Sequence, residues 1–466
     1  MENARVDYKG GLNSRVAVPL IGVLGLLSVG IYALNFRLCQ FLPQAWRQSS
    51  IHDYLILFAV LSVLYLAAVG LVLNCRPSAA QSRGLLLAII ALAVAFRLFQ
   101  LFQEPTRLSS DMYRFIWDGR VQHHGFNPYR RPPGAEALKG LRDPRIYPHI
   151  NRKSARTLYP AGAQLFFRAV YRAVGDSVTG FKSVMVACDI SALAVLAALL
   201  KVHGRNPNRL LIYAWNPLVV FEIAYSGHLE GITVLLMLSA FYLAAKRKKT
   251  FATFFLALCS GIKIYPGLLL PALLKRGERI RGLTIFTAVF GLLYLPYLNA
   301  GEKMMGFLPV YLKNPYESFN LGFKYVILHF FPRLSYYWLS LLFIAGLLVA
   351  GTVVLFKEKA GDRSVYYGYV LTGWLMILMP AALHPWYVIL IIPFLAFYPH
   401  AAWLIFSCAV SLSYLKYVSP QGIMPTGVLM WEYVPLLLLL GAGYLYGRTA
   451  GGRMAGRNCE PAGIGR

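Results

Sequence analysis

The chain has 466 residues, 58% of them hydrophobic and only 14% charged, with a mean hydropathy of +0.54, which excludes a water-soluble enzyme of ordinary composition. A formal net charge of +27 would suit nucleic acid, yet the basic residues fall mostly in short stretches between apolar runs, so nucleic acid is excluded as a partner. There the charges orient membrane spans and favour contact with anionic membrane lipid. Cys39, Cys75, Cys188, Cys259, Cys408 and Cys459 show no paired or metal-binding spacing and read as packing residues.

In chain order, the apolar run 16–36 has no small-residue cleavage pattern behind it and reads as a retained span rather than a signal peptide. Spans at about 54–75 and 84–103 follow, then a long polar stretch at 104–177, then spans at about 178–200, 210–225 and 228–245. Lys246-Arg247-Lys248-Lys249 marks a cytoplasmic loop, which places the N-terminus, Arg76 and Arg83 inside and the 104–177 loop outside. That loop is itself basic, with Arg130, Arg131, Lys139, Arg142, Arg145, Arg152, Lys153 and Arg156. Long loops count less in the positive-inside rule, and positive charge there suits a phosphate-bearing ligand.

Residues 250–274 place Gly261-Ile262-Lys263-Ile264-Tyr265-Pro266-Gly267 at membrane depth between two basic clusters, as expected of a re-entrant broken helix. Spans near 283–300, 335–356, 364–383, 385–398, 401–418 and 430–447 return Arg448, Arg453, Arg457 and Arg466 to the cytoplasm. The expectation is one all-α, polytopic integral membrane domain over 1–466, with roughly a dozen spans and the re-entrant hairpin. No internal repeat and no P-loop, GxGxxG, GxSxG or HExxH element in a plausible context is apparent.

The candidate chemistry begins at Asp111-Met112-Tyr113-Arg114-Phe115-Ile116-Trp117-Asp118-Gly119-Arg120. As a helix this puts Asp111, Arg114 and Asp118 on one stripe, while Met112, Phe115, Ile116 and Trp117 cover much of the rest, as in a helix lying on a membrane surface. A carboxylate held by a cation beside a bilayer suits removal of a proton from a sugar hydroxyl, so Asp111 is the candidate base. Arg114 is expected to hold Asp111 ionised or to contact a phosphate, and Asp118 to orient Arg114 or to bind a divalent cation such as Mg or Mn. Two carboxylates seven residues apart fix no coordination geometry, so no cofactor is assigned. Ordinary ion pairs on a surface helix are the bland alternative.

Phe126-Asn127-Pro128-Tyr129 and Tyr159-Pro160 offer a rigid aromatic rim for a sugar, or simply a loop with turn prolines. His228 and Glu230, near Glu222, fall on the same side as Asp111 and suit a cavity. Lys263 beside Pro266 suits a lipid phosphate better than snorkelling to the interface. His384-Pro385-Trp386-Tyr387 combines an interface aromatic belt with a histidine able to meet a phosphate or a hydroxyl.

Taken together, Asp111 to Arg120, Asn127-Pro128-Tyr129, Tyr159-Pro160, Gly227-His228-Leu229-Glu230, Lys263-Ile264-Tyr265-Pro266 and His384-Pro385-Trp386-Tyr387 resemble the polytopic GT-C glycosyltransferases. The likeness is to their bacterial branch of polyprenol-phosphate-mannose-dependent mannosyltransferases, in which Asp is commoner at the position of Glu230. It implies inverting transfer of a hexose, mannose above all, from a polyprenyl-phosphate sugar donor to a glycan or lipid acceptor. The reaction would run on the extracytoplasmic face of the plasma (inner) membrane, serving the cell envelope. It implies Asp111 as catalytic base, with substrate contacts from Arg114, Asp118, Arg120, Asn127, Tyr129, Tyr159, His228, Glu230, Lys263, Tyr265, His384 and Trp386. A transporter or flippase for a lipid-linked or anionic solute is the alternative; it would predict inverted repeats and midplane charges, whereas here the charges gather in one outer loop.

Overall fold

The computed structural model describes residues 12–41, 49–105, 108–313, 319–357, 363–419, 422 and 424–456. Cys459, Arg457 and Arg466 lie outside the described residues. Apart from a single Leu12–Cys75 bridge, all regular structure among the described residues is helical. Helices α1 (Ser14–Phe41), α2 (Ser49–Asn74) and α3 (Ala79–Leu101) open the chain. After them come α4 (Asp111–His123), α5 (Ala161–Val174), α6 (Val178–Val202), α7 (Glu230–Ala245) and α8 (Lys249–Ile262).

Local signals set these boundaries. Ser78 and Gln81 close a reciprocal capping box at the start of α3, and the Ser177 hydroxyl accepts from the Gly180 amide at the start of α6. At the other end of α3, Lys182 Nζ donates to the carbonyls of Gln100 (3.1 Å) and Gln103 (2.5 Å), satisfying acceptors that a helix end leaves orphaned. Inside the bundle Arg97 of α3 meets Asp189 of α6 at 2.5 Å, both fully buried, with Tyr213 donating to the same carboxylate. A buried pair of this kind holds two helices in one register because either charge alone would be costly.

Seven helices among the described residues are long and apolar enough to cross a membrane, and two bent pairs raise this to nine. The chain is a polytopic membrane protein; among the described residues seven to nine spans stand where roughly twelve were expected along the whole chain. The segments expected as spans at 210–225 and 228–245 are one bent pair, Pro217–Tyr225 with Glu230–Ala245, turned by 119°. The span expected at 283–300 is part of a second pair, Arg276–Leu292 with Leu295–Val310, turned by 92°. The apolar stretch 364–398, expected to hold two spans, gives a 14-residue helix Ser364–Ile377 followed by short turns at Pro385–Leu390 and Ile392–Leu395. Pro380, Pro385 and Pro393 interrupt it, since each removes a backbone donor and crowds the preceding turn. Apolar composition alone does not register such breaks. The break expected near Lys263 is present: α8 stops at Ile262 and Lys263 is extended (φ −138°, ψ 134°).

Between α3 and α6 the 104–177 stretch folds over α4. Leu138, Ile146 and Ile150 are buried there, and α5 lies along α4. The crossing is close at Gly119, where an added Cβ would stand 2.7 Å from the Phe167 carbonyl oxygen and from Tyr171 Cβ. As a result α4 is enclosed on every side. Phe115, Ile116, Trp117 and Asp118 are all buried, which corrects the surface-helix expectation. Aromatic residues around the whole helix find protein rather than lipid, because the following loop returns to cover them.

Candidate active site

Asp111 is the first residue of α4, where the helix dipole favours a negative charge. Its carboxylate is 21% exposed. One oxygen accepts from Asn151 Nδ2 at 2.8 Å, and the other lies 4.0 Å from His228 Nδ1. The Tyr159 hydroxyl stands well above the ordinary tyrosine range, first through burial and then through the Asp111 charge it faces.

The stripe expected to group three charges divides in two. Arg114 is turned along its helix to Asp118 (Nε to Oδ1, 2.8 Å) instead of to Asp111, and its Nη1 donates to the Ala155 carbonyl at 3.2 Å. Arg114 Nη2 has no hydrogen-bond partner among the described residues. The second Asp118 oxygen accepts from Gln164 Nε2 at 2.9 Å, and Gln164 also donates to Thr157 Oγ1 at 2.8 Å. Gln122 donates to Gln164 at 3.0 Å and accepts from the Tyr297 hydroxyl at 2.7 Å. Asp118 is therefore the hub of a buried network joining α4, the loop and α5. With a guanidinium on one oxygen and an amide on the other, it does not fit a divalent cation. No group of three or more metal-ligating side chains occurs among the described residues.

Three expected contacts sit away from Asp111. Arg120 bonds Asp143 and Asp176, each at 2.7 Å, and lies over the Trp117 ring at 5.7 Å. Burial raises the Asp143 carboxyl, but the Arg120 hydrogen bond and two backbone amides outweigh it and hold the group at about 2. Asn127 donates to Asn299 at 2.6 Å and accepts from the Tyr129 amide at 2.9 Å. Tyr129 packs with Ala161, Tyr297 and Ala300 and donates to the Tyr159 carbonyl at 2.7 Å. Asn127 and Tyr129 thus shape the loop that presents Tyr159.

The remaining expected residues converge. Ser226 to Leu229 link the halves of the first bent pair, and Gly227 takes φ +75° there. A Cβ at Gly227 would stand 2.1 Å from Met112 Cε, so glycine allows this link to lie against α4. His228 is thereby brought up to Asp111. Its ring stacks on Trp386 (centroids 3.9 Å apart), which stacks on His384 (4.3 Å), which stacks on Phe319 (5.1 Å). His228 Nε2 is 3.4 Å from Glu222 Oε2, and the Tyr414 hydroxyl donates to Glu222 Oε1 at 2.6 Å. Lys263 forms a direct, buried ion pair with Glu230, whose same oxygen accepts from the Tyr265 hydroxyl at 3.1 Å. Lys263 Nζ also lies 5.1 Å from the centre of the Tyr387 ring. Arg152, Lys263 and Lys416 all act electrostatically on His384.

Sequence reasoning noticed Glu222 without giving it a place and missed Asn151, Tyr414 and Lys416. Lys416 in an apolar segment was a readable sign, since charge in a span is rarely idle. Asn151 and Tyr414 reach the cluster by long-range folding and carry no local signal.

A bundle of apolar spans around one part-exposed carboxylate, an imidazole and paired buried charges defines a membrane-embedded enzyme. Residues 17–275 match the sequence model of the family described as alpha-(1->6)-mannopyranosyltransferase, N-terminal domain. The match takes in more than half of the chain, and the protein belongs to this family: it is a mannosyltransferase, and so a glycosyltransferase. No curated protein and no solved structure matches the chain. Membership favours the GT-C resemblance over the transporter alternative. The matched stretch includes Asp111, His228, Glu230, Lys263 and Tyr265, and ends before His384 and Trp386.

Proposed function

We propose that the protein transfers mannose, with inversion, from a polyprenyl-phosphate mannose to a glycan or lipid acceptor, with Asp111 as the catalytic base. The 104–177 region is then the catalytic loop on the extracytoplasmic face of the plasma membrane, residues 250–274 form a re-entrant break, and both termini are cytoplasmic. The observation that carries this reading is the contrast among the three clustered carboxylates. Asp111 is 21% exposed, whereas Glu222 and Glu230 are 0% and 2% exposed. A base must touch its substrate, and Asp111 is the one of the three open to an acceptor.

In this mechanism the acceptor oxygen bonds to C1 of mannose as its proton passes to Asp111. The bond from C1 to the phosphate oxygen breaks, and its electron pair leaves with the polyprenyl phosphate. Phosphate is a good leaving group, so no general acid is required. Lys263 and His384 are the groups offered to the phosphate, supported by Arg152 and Lys416. Tyr159, Tyr265 and Trp386 provide aromatic surface for the sugar and the prenyl chain.

The experiment supplies the purified protein with labelled mannose on polyprenyl phosphate or on a nucleoside diphosphate, with membrane glycolipid as acceptor. Transfer from the lipid donor alone is the expected result. Transfer from the nucleotide donor alone would contradict the proposal.

A further inference from the structure

His228 stands between two carboxylates that face different ways. Asp111, at 4.0 Å from Nδ1, is open to substrate, whereas Glu222, at 3.4 Å from Nε2, is closed off and held by Tyr414. The stacked Trp386 ring and the main-chain bond from the His228 amide to the Glu222 carbonyl (2.9 Å) hold the imidazole between the two carboxylates, with neither side-chain contact closed as a hydrogen bond. Glu222 lies in a π-helical turn, Val220–Tyr225, an irregularity that tends to occur where function needs a side chain re-aimed.

Glycosyl transfer releases one proton per turnover, and Asp111 can act again only once it has given that proton up. From the placement of His228 between Asp111 and the Tyr414-held Glu222 we infer that His228 is a proton relay behind the catalytic base, with Glu222 behind it. The inference rests on Asp111 being that base. Neutral His228 holds its proton at Nε2 towards Glu222 and takes the Asp111 proton at Nδ1. The resulting imidazolium is stabilised by the Glu222 carboxylate, and its Nδ1 proton then passes to the departing phosphate, which carries two negative charges once free. No group other than the acceptor, Asp111, His228 and the phosphate gains or loses a proton in this cycle. Glu222 is a positioning residue, and Tyr414 fixes its carboxylate.

Other charges surround the relay. Lys263 and His384 also act on His228. Glu222 is faced by Glu230, Lys263 and Ser226 as well as by Tyr414, and Tyr417 lies in the field of both Asp111 and Glu222. The 4.0 Å gap to Asp111 is within the range that closes when substrate fills a site.

The test uses the full-length protein with polyprenyl-phosphate mannose and compares wild type, Glu222→Gln, Glu222→Asp, His228→Ala and Asp111→Asn. Glu222→Gln keeps the shape and the Tyr414 bond while removing the charge. Its kcat is expected to fall about 10–100-fold, with KM for donor and acceptor held within about twofold. Glu222→Asp should recover part of the loss. His228→Ala should regain rate with added imidazole, more strongly for substituted imidazoles of higher pKa. If Glu222→Gln fails to fold, the imidazole response of His228→Ala decides the matter. Wild-type kcat in Glu222→Gln, or a His228→Ala loss that no imidazole changes, would overturn the relay. Wild-type activity in Asp111→Asn would instead remove the base on which the relay rests.

Discussion

The two ends of α4 carry charged residues in opposite settings. At the C-terminal end Arg120 is enclosed by Asp143 and Asp176, with its guanidinium on the Trp117 ring. At the N-terminal end Asp111 has a neutral amide and a distant imidazole, and part of its surface is open. The first charge is matched by partners and fastens a loop. The second lacks a strong cation of its own, even though Arg114 is one turn away and committed to Asp118. Under the proposed mechanism, the absence of a direct guanidinium contact leaves the Asp111 carboxylate open to an acceptor.

The contrast is open to being broken. The largest effect is expected at the open end: Asp111→Asn should lower mannosyl transfer by about 10²–10⁴-fold while leaving thermal unfolding in place. The paired network should respond the other way. Asp118→Asn leaves Arg114 buried without a carboxylate and is expected to cost about 3–5 kcal/mol, read as an earlier unfolding midpoint with activity following the folded fraction. Gly227→Ala puts a side chain at a left-handed backbone position (φ +75°) in the turn that carries His228, and should cost about 1–3 kcal/mol. Transfer should then fall further than the folded fraction does.

The smallest effect belongs to the fastened end. Asp143 is held at about 2, below the usual 3.8, so its contribution is fully present above the ordinary carboxylate pKa and is lost as pH falls through about 2. Asp143→Asn should cost about 1–2 kcal/mol near neutral pH, after allowing for its part exposure. The gap in unfolding temperature between wild type and this variant should close as pH falls from 5 towards 2.

Several residues that the fold brings together were legible because they stand in short, ordered motifs. Asp111, His228, Glu230, Lys263 and His384 are ionisable groups in or beside apolar segments, where each demands a partner or a use. Proline gave a further sign: Pro266 after Lys263 marks a departure from regular helix. Pairings over long sequence distance were not legible. Lys263 meets Glu230 and Glu222 meets Tyr414 only because the helices pack as they do. Arg120 was read as a site residue from its place in a motif, yet its partners Asp143 and Asp176 lie in segments with no periodic signal. Hydropathy located long apolar runs well, but it treated 364–398 as continuous spans where prolines divide it.

The central claim is that α4 carries one reactive carboxylate and one structural one, and a single comparison tests it. Transfer of labelled mannose from polyprenyl-phosphate mannose is measured for wild type, Asp111→Asn and Asp118→Asn, with each rate divided by the folded fraction in the same preparation. The account predicts that Asp111→Asn stays near background after this correction while Asp118→Asn returns towards wild type. A corrected Asp111→Asn rate equal to wild type would contradict it.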